Sequence, residues 1–255
     1  MNYIGIDIGS TSAKTLIFDG EKVVDFFVMP TGWSSRETAT RIKERLGTLG
    51  FNVDSADIKI IATGYGRISV EYADKVLTEI TCHGKGGYYL FSQDSVIIDV
   101  GGQDTKVITV EQGSVSSFLM NDKCSAGTGK FIEIMANRLA VDIDELFQLA
   151  ENATPIPISS MCTVFAESEI ISHIGAGRSK ADLAAGIVQS VVSRVALLAE
   201  RHDINGICIL TGGLSHNQYF RQQLGEKLGR KVHTHELGKY AGALGAALIA
   251  AERFK

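Results

Sequence analysis

The stretch Ile4–Thr11 reads IGIDIGST, and a related stretch at Ile98–Asp104 reads IDVGGQD. Each has an apolar strand pattern with an aspartate near its end and a glycine two positions later. The longer pattern Asp-x-Gly-x4-Lys occurs at Asp7–Lys14 and again at Asp99–Lys106, with one offset of 92 residues. This repeat predicts two copies of a unit in which a glycine-bearing turn joins two strands.

Hydrophobic periodicity extends this prediction to an α/β protein. Strands are predicted at Tyr3–Ile8, Lys14–Phe18, Lys22–Val28, Ile58–Ala62, Ser95–Asp99, Thr105–Val110, Ser114–Leu119, Gly206–Leu210 and Lys231–Thr234. Helices are predicted at Ser34–Leu49, Ile80–Phe91, Gly127–Leu139, Asp142–Ala150, Val164–Ile174, Lys180–Arg201, Gln218–Leu228 and Tyr240–Phe254. We expect one module without a linker, made of a first lobe at 1–90, closed by the C-terminal helix 239–255, and a second lobe at 91–238.

Composition excludes several classes of protein. The 255 residues are 45% hydrophobic with a net charge of -4, which is typical of a globular chain rather than a disordered one. No basic run marks a nucleic acid or an anionic membrane as a partner. The longest apolar run, Ala241–Ala251, is shorter than the ~20 residues that a membrane span needs. The start lacks a signal-peptide pattern, so we expect a cytoplasmic protein with reduced thiols.

The two turns have the chemistry of a polyphosphate site. Glycine lets backbone N–H groups approach phosphate oxygens, and carboxylates such as Asp7 and Asp99 suit Mg²⁺ beside the phosphates. A third element, Leu210–Ser215, ends a strand and starts a helix, although each such turn alone is also compatible with a purely structural role. The predicted nucleotide contacts are Gly9, Ser10, Thr11, Ser12, Ala13, Lys14, Gly101, Gly102, Gln103, Asp104, Gly127, Thr128, Gly212 and Gly213.

The cysteines fall into two groups by context. Cys208 lies in an apolar strand and Cys82 on a helix, where packing is the simplest role. Cys124 and Cys162 lie in polar or irregular segments ahead of predicted helices, whose N-termini favour thiolates and anionic clusters. Two thiolates cannot complete an iron-sulfur or zinc site, but a symmetric dimer could supply four. Ordinary thiols remain the alternative at this point.

The turns at Ile4–Thr11 and Ile98–Asp104, together with Leu210–Gly213, resemble the phosphate and adenosine motifs of the actin, sugar-kinase and heat-shock ATPase superfamily. The resemblance implies two ribonuclease-H-like lobes with Mg-ATP in the cleft between them. The helices at Ile80–Phe91 and Ala241–Ala251 resemble its connecting segments. Their glycines are expected to allow a close crossing at a hinge, and these are Gly84, Gly86, Gly87, Gly242 and Gly245.

A narrower resemblance rests on CSAGTGKF at Cys124–Phe131, CTVFAESE at Cys162–Glu169 and DVGGQD at Asp99–Asp104. These stretches resemble the signatures of activator ATPases of 2-hydroxyacyl-CoA dehydratases and of their benzoyl-CoA reductase relatives. The resemblance implies a homodimer with one [4Fe-4S] cluster between its subunits, held by Cys124 and Cys162 of each chain. It also implies ATP-driven transfer of a low-potential electron, from a ferredoxin- or flavodoxin-like donor to an iron-sulfur dehydratase or reductase.

Three residues of the two turns have predicted catalytic roles. We expect Gln103 to orient the attacking water and Asp7 and Asp99 to serve the Mg²⁺ ion. Glu167 and Glu169 either contact nucleotide or partner, or are acids of a helix's first turn. The rival functions are a small-molecule kinase of the same fold and a non-catalytic ATP-gated binding module or filament protein. The kinase leaves the paired cysteines ahead of helices unexplained, and a brown, air-sensitive dimer would argue against the filament protein.

Overall fold

A computed structural model of the chain describes residues 1–160, 162–202 and 206–254. Its strands are β1 (Asn2–Ile8), β2 (Ser12–Phe18), β3 (Val23–Pro30), β4 (Ile58–Thr63), β5 (Lys75–Val76), β6 (Ser95–Val100), β7 (Thr105–Glu111), β8 (Ser114–Asn121), β9 (Ile207–Gly212) and β10 (Val232–His233). Its helices are α1 (Ser35–Thr48), α2 (Glu79–Phe91), α3 (Gly129–Arg138), α4 (Ile143–Ala150), α5 (Thr163–Gly175), α6 (Lys180–Ala199), α7 (Gln218–Leu228) and α8 (Ala241–Arg253). The predicted α/β class is confirmed.

The strands form two sheets with equivalent connectivity. The first has the order β3-β2-β1-β4-β5, and the second has the order β10-β9-β6-β7-β8. If β6 is taken as the counterpart of β1, the second order is the first one reversed. This equivalence agrees with the duplication predicted from the repeated Asp-x-Gly-x4-Lys pattern.

The first sheet is covered on both faces. Strand β1 pairs antiparallel with β2 and parallel with β4, so it lies in the middle of the sheet. Ile4 and Ile6 of β1 pack in one core cluster with Ile42 of α1, whereas Tyr3 packs in a second cluster with Ala247 of α8. Burial on both faces explains why IGIDI is apolar at almost every position instead of alternating.

Helices α2 and α8 approach closely enough to require glycine. A Cβ atom at Gly86 would collide with the Ala241 carbonyl, and one at Gly245 would collide with the Cys82 carbonyl. The other three glycines predicted to allow this crossing have different neighbours: Gly84 faces Val115, Gly87 faces Ile97, and Gly242 faces Asp7 and His83. The close crossing is therefore confirmed at Gly86 and Gly245, where the two backbones meet, and at Gly242, which faces the His83 side chain of α2. It is wrong for Gly84 and Gly87, which face strand residues.

Helix α6, at 20 residues the longest helix that the structure describes, is buried along much of its length. Leu183, Ile187 and Val191 are fully buried. By length and composition alone α6 could cross a membrane, but 56% of its apolar window is buried inside the fold. Its hydrophobicity is thus explained by packing in the core.

Contacts divide the chain into two compact units. One comprises Met1–Ile97, Ile108–Phe118 and His235–Lys255, and the other comprises Ile98–Val107 and Leu119–Thr234. The lobe boundaries 1–90, with 239–255, and 91–238 stay a prediction.

Most predicted elements agree with the structure within a few residues. Strand β5 and the 3-10 turns at Arg67–Ser69 and Gly238–Tyr240 were not predicted, because two or three residues are too few to show a period. Helix α3 begins at Gly129 instead of Gly127, which leaves Cys124 five residues ahead of it. The helix-terminus argument for a thiolate therefore does not hold for Cys124.

Candidate functional site

The first glycine-bearing turn is held at the end of the β1–β2 hairpin. The Gly9 N–H donates to the Ser12 carbonyl at 3.2 Å, and the Thr31 hydroxyl donates to the Gly9 carbonyl at 2.7 Å. Of the predicted contacts here, Thr11 is exposed, and Gly9, Ser10, Ser12 and Lys14 are partly buried, whereas the side chain of Ala13 is fully buried. Contact with a ligand through the Ala13 side chain is thus not supported.

Asp7 lies beneath this turn in a polar cluster. It is buried, and its Oδ2 atom lies 4.0 Å from Nε2 of His83, which in turn lies 3.8 Å from Oε1 of Glu79. A Cβ atom at Gly242 would lie 2.7 Å from Asp7 Oδ2 and 2.8 Å from His83 Nε2. Sequence reasoning missed His83 and Glu79, although their spacing of four on one helix was a usable signal.

The second turn contains a buried lysine between two aspartates. Lys106 is 2% exposed, and its Nζ atom lies 2.7 Å from Oδ2 of Asp104 and 3.6 Å from Oδ2 of Asp99. A buried charge is tolerated when it is paired in this way. Asp104 is thus directed inward to the lysine, while Gln103 next to it is exposed. Exposure leaves Gln103 accessible for the predicted contact with water.

The third motif meets the second turn at Asp99. The Thr211 hydroxyl donates to Asp99 Oδ1 at 2.9 Å, and the Gly213 N–H donates to the Val100 carbonyl at 3.2 Å. Gly212 has φ +84°, and a Cβ atom there would lie 2.9 Å from Asp99 Oδ1. At Gly213, by contrast, a Cβ atom would meet no atom within 4 Å among the described residues. Gly212 is required by the fold, and Gly213 is not.

Helix α3 begins directly on the second turn. The N–H groups of Gly129 and Lys130 donate to the carbonyls of Gly101 and Gly102, at 2.9 and 2.8 Å. These bonds satisfy two of the backbone N–H groups that have no partner within the helix at its N-terminus. The predicted contacts Gly127 and Thr128 are buried just ahead of the helix, and burial does not favour their contact with nucleotide. The turn and the segment before α3 thus form one hydrogen-bonded unit.

The Cys124 segment is positioned by Asn121 at the end of β8. The Asn121 amide donates to the carbonyls of Cys124 and Ala126 at 2.9 and 3.1 Å, and its oxygen accepts the Cys124 N–H at 3.3 Å. The Asn121 side chain thus makes three of the hydrogen bonds that hold the loop carrying the thiol.

The Cys162 segment is bound to the Cys124 segment. Cys162 is the N-cap residue of α5, and the Ser125 and Thr163 hydroxyls, each next to a cysteine, are 2.7 Å apart. Glu169 accepts the backbone N–H groups of Ser159 and Ser160 at 2.9 Å. Burial alone would raise the pKa of Glu169, but these hydrogen bonds lower it to about 2.

Glu167 and Glu169 are not acids of the first helical turn, because α5 has none there. Glu167 forms an ion pair with Arg138 and so joins α5 to the end of α3. Both carboxylates hold the cysteine segments in place, a role that was not predicted. Binding of nucleotide or partner by these residues stays a prediction.

The four cysteines differ as the sequence predicted. Burial raises the pKa of Cys82 to about 12 and that of Cys208 to about 11, so both are inert packing residues. Cys124 and Cys162 are exposed and line one cavity of about 730 Å³. The cavity lining includes Arg194 and Arg201 but, among the described residues, no carboxylate. Two soft thiol ligands beside cations fit an anionic iron-sulfur cluster whose other ligands come from elsewhere.

Comparisons with known proteins identify the family and several relatives of this chain. Residues 4–250 match the BadF/BadG/BcrA/BcrD ATPase family. The (R)-2-hydroxyglutaryl-CoA dehydratase activating ATPase of Acidaminococcus fermentans is 44% identical over 250 residues, which are 97% of this chain and 96% of that protein. The crystal structure of component A of that dehydratase has a TM-score of 0.93 at 43% identity, covering 100% of this chain and 99% of that one. The activator of 2-hydroxyisocaproyl-CoA dehydratase from Clostridium difficile, with bound ADPNP, has a TM-score of 0.92 at 36% identity, covering 100% and 96%.

Proposed function

The chain belongs to the BadF/BadG/BcrA/BcrD ATPase family, and we propose that it is an ATP-hydrolysing activator of a separate enzyme. That enzyme is of the 2-hydroxyacyl-CoA dehydratase or benzoyl-CoA reductase type, and the activator gives it a low-potential electron. A ferredoxin- or flavodoxin-like protein supplies the electron, and the reaction takes place in the cytoplasm. The names of the relatives, which are dehydratase activators, support this proposal.

One observation carries the electron-transfer part of the proposal. Cys124 and Cys162 are exposed, lie on segments bonded through Ser125 and Thr163, and line one cavity that contains two arginines. The two thiolates would hold half of a [4Fe-4S] cluster, and the same two residues of a second chain would complete the four ligands. Such a cluster, when bound, accepts and releases single electrons. The functional unit is therefore a homodimer.

Nucleotide binding rests on the three glycine-bearing motifs. Backbone N–H groups and hydroxyls of Ser10–Ser12 and the backbone N–H groups of Gly102 and Gln103 would bind phosphate oxygens, and Asp7 and Asp99 would hold Mg²⁺ directly or through water. Gly212 and Gly213 would lie against the nucleoside, and Gln103 would orient the attacking water. The nucleotide analogue bound to the Clostridium difficile activator supports this assignment.

A short path joins the second turn to the cysteines. The Gly101 and Gly102 carbonyls accept the first N–H groups of α3, and the Cys124 segment directly precedes that helix. Phosphate binding on the opposite side of these peptides would alter their orientation and so the start of α3. The Ser125–Thr163 contact would pass the change to the Cys162 segment. We infer that nucleotide state alters the surface over the cluster in this way.

Iron and sulfide analysis tests the proposal. Protein purified without oxygen is expected to contain about four iron and four sulfide per dimer. Cys124→Ser and Cys162→Ser variants should each lose the cluster, whereas Cys208→Ala, a control at a buried thiol, should keep it. Full clusters in both serine variants would contradict the shared site. A phosphorylated small-molecule product in place of released phosphate would identify the rival kinase.

The Gly213→Ala variant tests nucleotide binding separately from folding. A methyl group at this position meets open space among the described residues, so the free energy of unfolding should change by less than about 0.5 kcal/mol. If Gly213 lies against the nucleoside, the same methyl group should weaken ATP binding, measured by calorimetry. Unchanged affinity would remove Gly213 from the site.

A further inference from the structure

Arg194 of helix α6 reaches both cysteine segments. Its guanidinium donates to the Ser160 carbonyl at 2.6 Å, two residues ahead of Cys162. The same group lies over the Phe131 ring, 5.5 Å from its centroid. Nearer the backbone, its Cβ atom lies 3.1 Å from the point where a Cβ at Gly127 would stand. The guanidinium is thus held by a hydrogen bond and a ring contact, and the start of the side chain lies next to Gly127.

The charge of Arg194 acts inside the cysteine cavity. Partial burial lowers the pKa of the guanidinium, and the Cys124 thiolate opposes that change. Arginine nevertheless stays protonated at neutral pH. Arg201, the other cation of the lining, is exposed, so solvent screens its charge more strongly. Of the two, Arg194 is the cation whose charge solvent screens less.

We propose that Arg194 is a positioning residue for the cluster, which fastens the Cys162 segment and makes the bound cluster easier to reduce. This inference rests on the proposed function. Reduction adds one negative charge to the cluster, and a fixed, partly desolvated cation stabilises the reduced state more than the oxidised one. Sequence patterns did not indicate this role, because Arg194 lies in a mostly apolar helix far along the chain from its contacts Ser160 and Phe131.

Redox titration of the anaerobic dimer, followed by electron paramagnetic resonance, tests the inference. At the midpoint potential of the unaltered protein, Arg194→Gln should lower the ratio of reduced to oxidised cluster about tenfold, which is 59 mV for one electron. Arg194→Lys keeps the charge but not the fixed geometry, so it should retain the potential and lose iron to a chelator faster. Arg178→Gln, at an exposed arginine elsewhere, should change neither quantity.

Each outcome decides the inference. A loaded Arg194→Gln protein with an unchanged midpoint overturns it and leaves the proposed function intact. Loss of the cluster from Arg194→Gln but not from Arg194→Lys supports the need for a charge. Loss from both, with Arg178→Gln fully loaded, overturns the electrostatic role in favour of a structural one. Unaltered protein without any cluster overturns the proposed function itself, and this inference with it.

Discussion

The turns at Asp7–Lys14 and Asp99–Lys106 share one sequence pattern but have different surroundings. In the second turn, Lys106 is completely buried between Asp99 and Asp104, whereas Lys14 in the first turn is partly exposed. The second turn also accepts the first hydrogen bonds of α3 through its carbonyls. In the part of the chain that the structure describes, no α-helix begins on the carbonyls of the first turn, and the aspartate of this turn lies between glycines and His83.

The difference shows that one duplicated unit has been adapted to two tasks. Charge neutralisation and helix capping make the second turn part of the framework that carries the cysteines. The first turn keeps its lysine near the surface, where a phosphate group could reach it.

Removal of the two lysines should have unequal effects on stability. Lys106→Met leaves two buried carboxylates without their cation, and we expect a loss of about 3–5 kcal/mol in the free energy of unfolding. Lys14→Met removes a partly exposed charge, and we expect a loss below about 1 kcal/mol. Urea unfolding of both variants without nucleotide measures the difference. Equal losses of unfolding free energy in the two variants would show that the two lysines have equivalent roles.

A methyl group at Gly242 should disturb the first turn through its aspartate. The added carbon would lie within 2.8 Å of both Asp7 Oδ2 and His83 Nε2, so we expect a loss of about 1–3 kcal/mol. ATP hydrolysis should fall as well, because Asp7 must move. Gly47→Ala, on the exposed surface of α1, is the control and should stabilise the protein by up to about 1 kcal/mol. A Gly242→Ala protein as stable and active as the control would show that the packing around Asp7 is loose.

Replacement of the Asn121 side chain by a methyl group should loosen the Cys124 segment and leave the first turn unchanged. Asn121→Ala removes three hydrogen bonds to the Cys124 loop, and we expect a local loss of about 1–2 kcal/mol. A chelator should then remove iron faster, while the affinity for ATP stays close to that of the unaltered protein. Asn137→Ala, at an exposed position on α3, should change neither. Iron loss at an unchanged rate would mean that Asn121 does not control the loop.

The smallest effect concerns Glu169 and acid. Its folded pKa, about 2, lies below its ordinary value of 4.5, so its contribution to stability is complete above pH 4.5 and is lost as the pH falls towards 2. At neutral pH, Glu169→Gln should cost on the order of 1 kcal/mol, because the group is partly exposed and screened. Unfolding measured across this range should show the two proteins converging in acid. A constant difference would exclude the carboxylate charge as the cause.

Local patterns were sufficient to predict most elements and the division of the cysteines. Strand periodicity and the Asp-x-Gly-x4-Lys repeat indicated the duplicated sheets, and the apolar context of Cys208 indicated burial. The contacts of single polar residues were not predictable, because their partners are distant in sequence. Arg194 binds the Ser160 carbonyl, and Glu167 pairs with Arg138 across two helices. The burial of Lys106 was not predictable either, because Lys14 has the same position in the repeat and is partly exposed.

Errors in the predicted helix starts caused errors in the predicted site. A shift of two residues at the start of α3 moved Cys124 away from the helix N-terminus. The start of α5 at Thr163 placed Glu167 outside the first turn, where its role is an ion pair instead of an interaction with the helix dipole. The position of a helix end depends on tertiary hydrogen bonds, which the hydrophobic periodicity of a sequence does not reveal. At the start of α3 these are the bonds to the Gly101 and Gly102 carbonyls.

Native mass spectrometry of protein kept free of oxygen shows whether two chains share one cluster. We predict a dimer whose excess mass corresponds to one [4Fe-4S] cluster, and a cluster-free chain when both Cys124 and Cys162 are serine. A monomer that carries a whole cluster, or a dimer that carries two, would contradict the account.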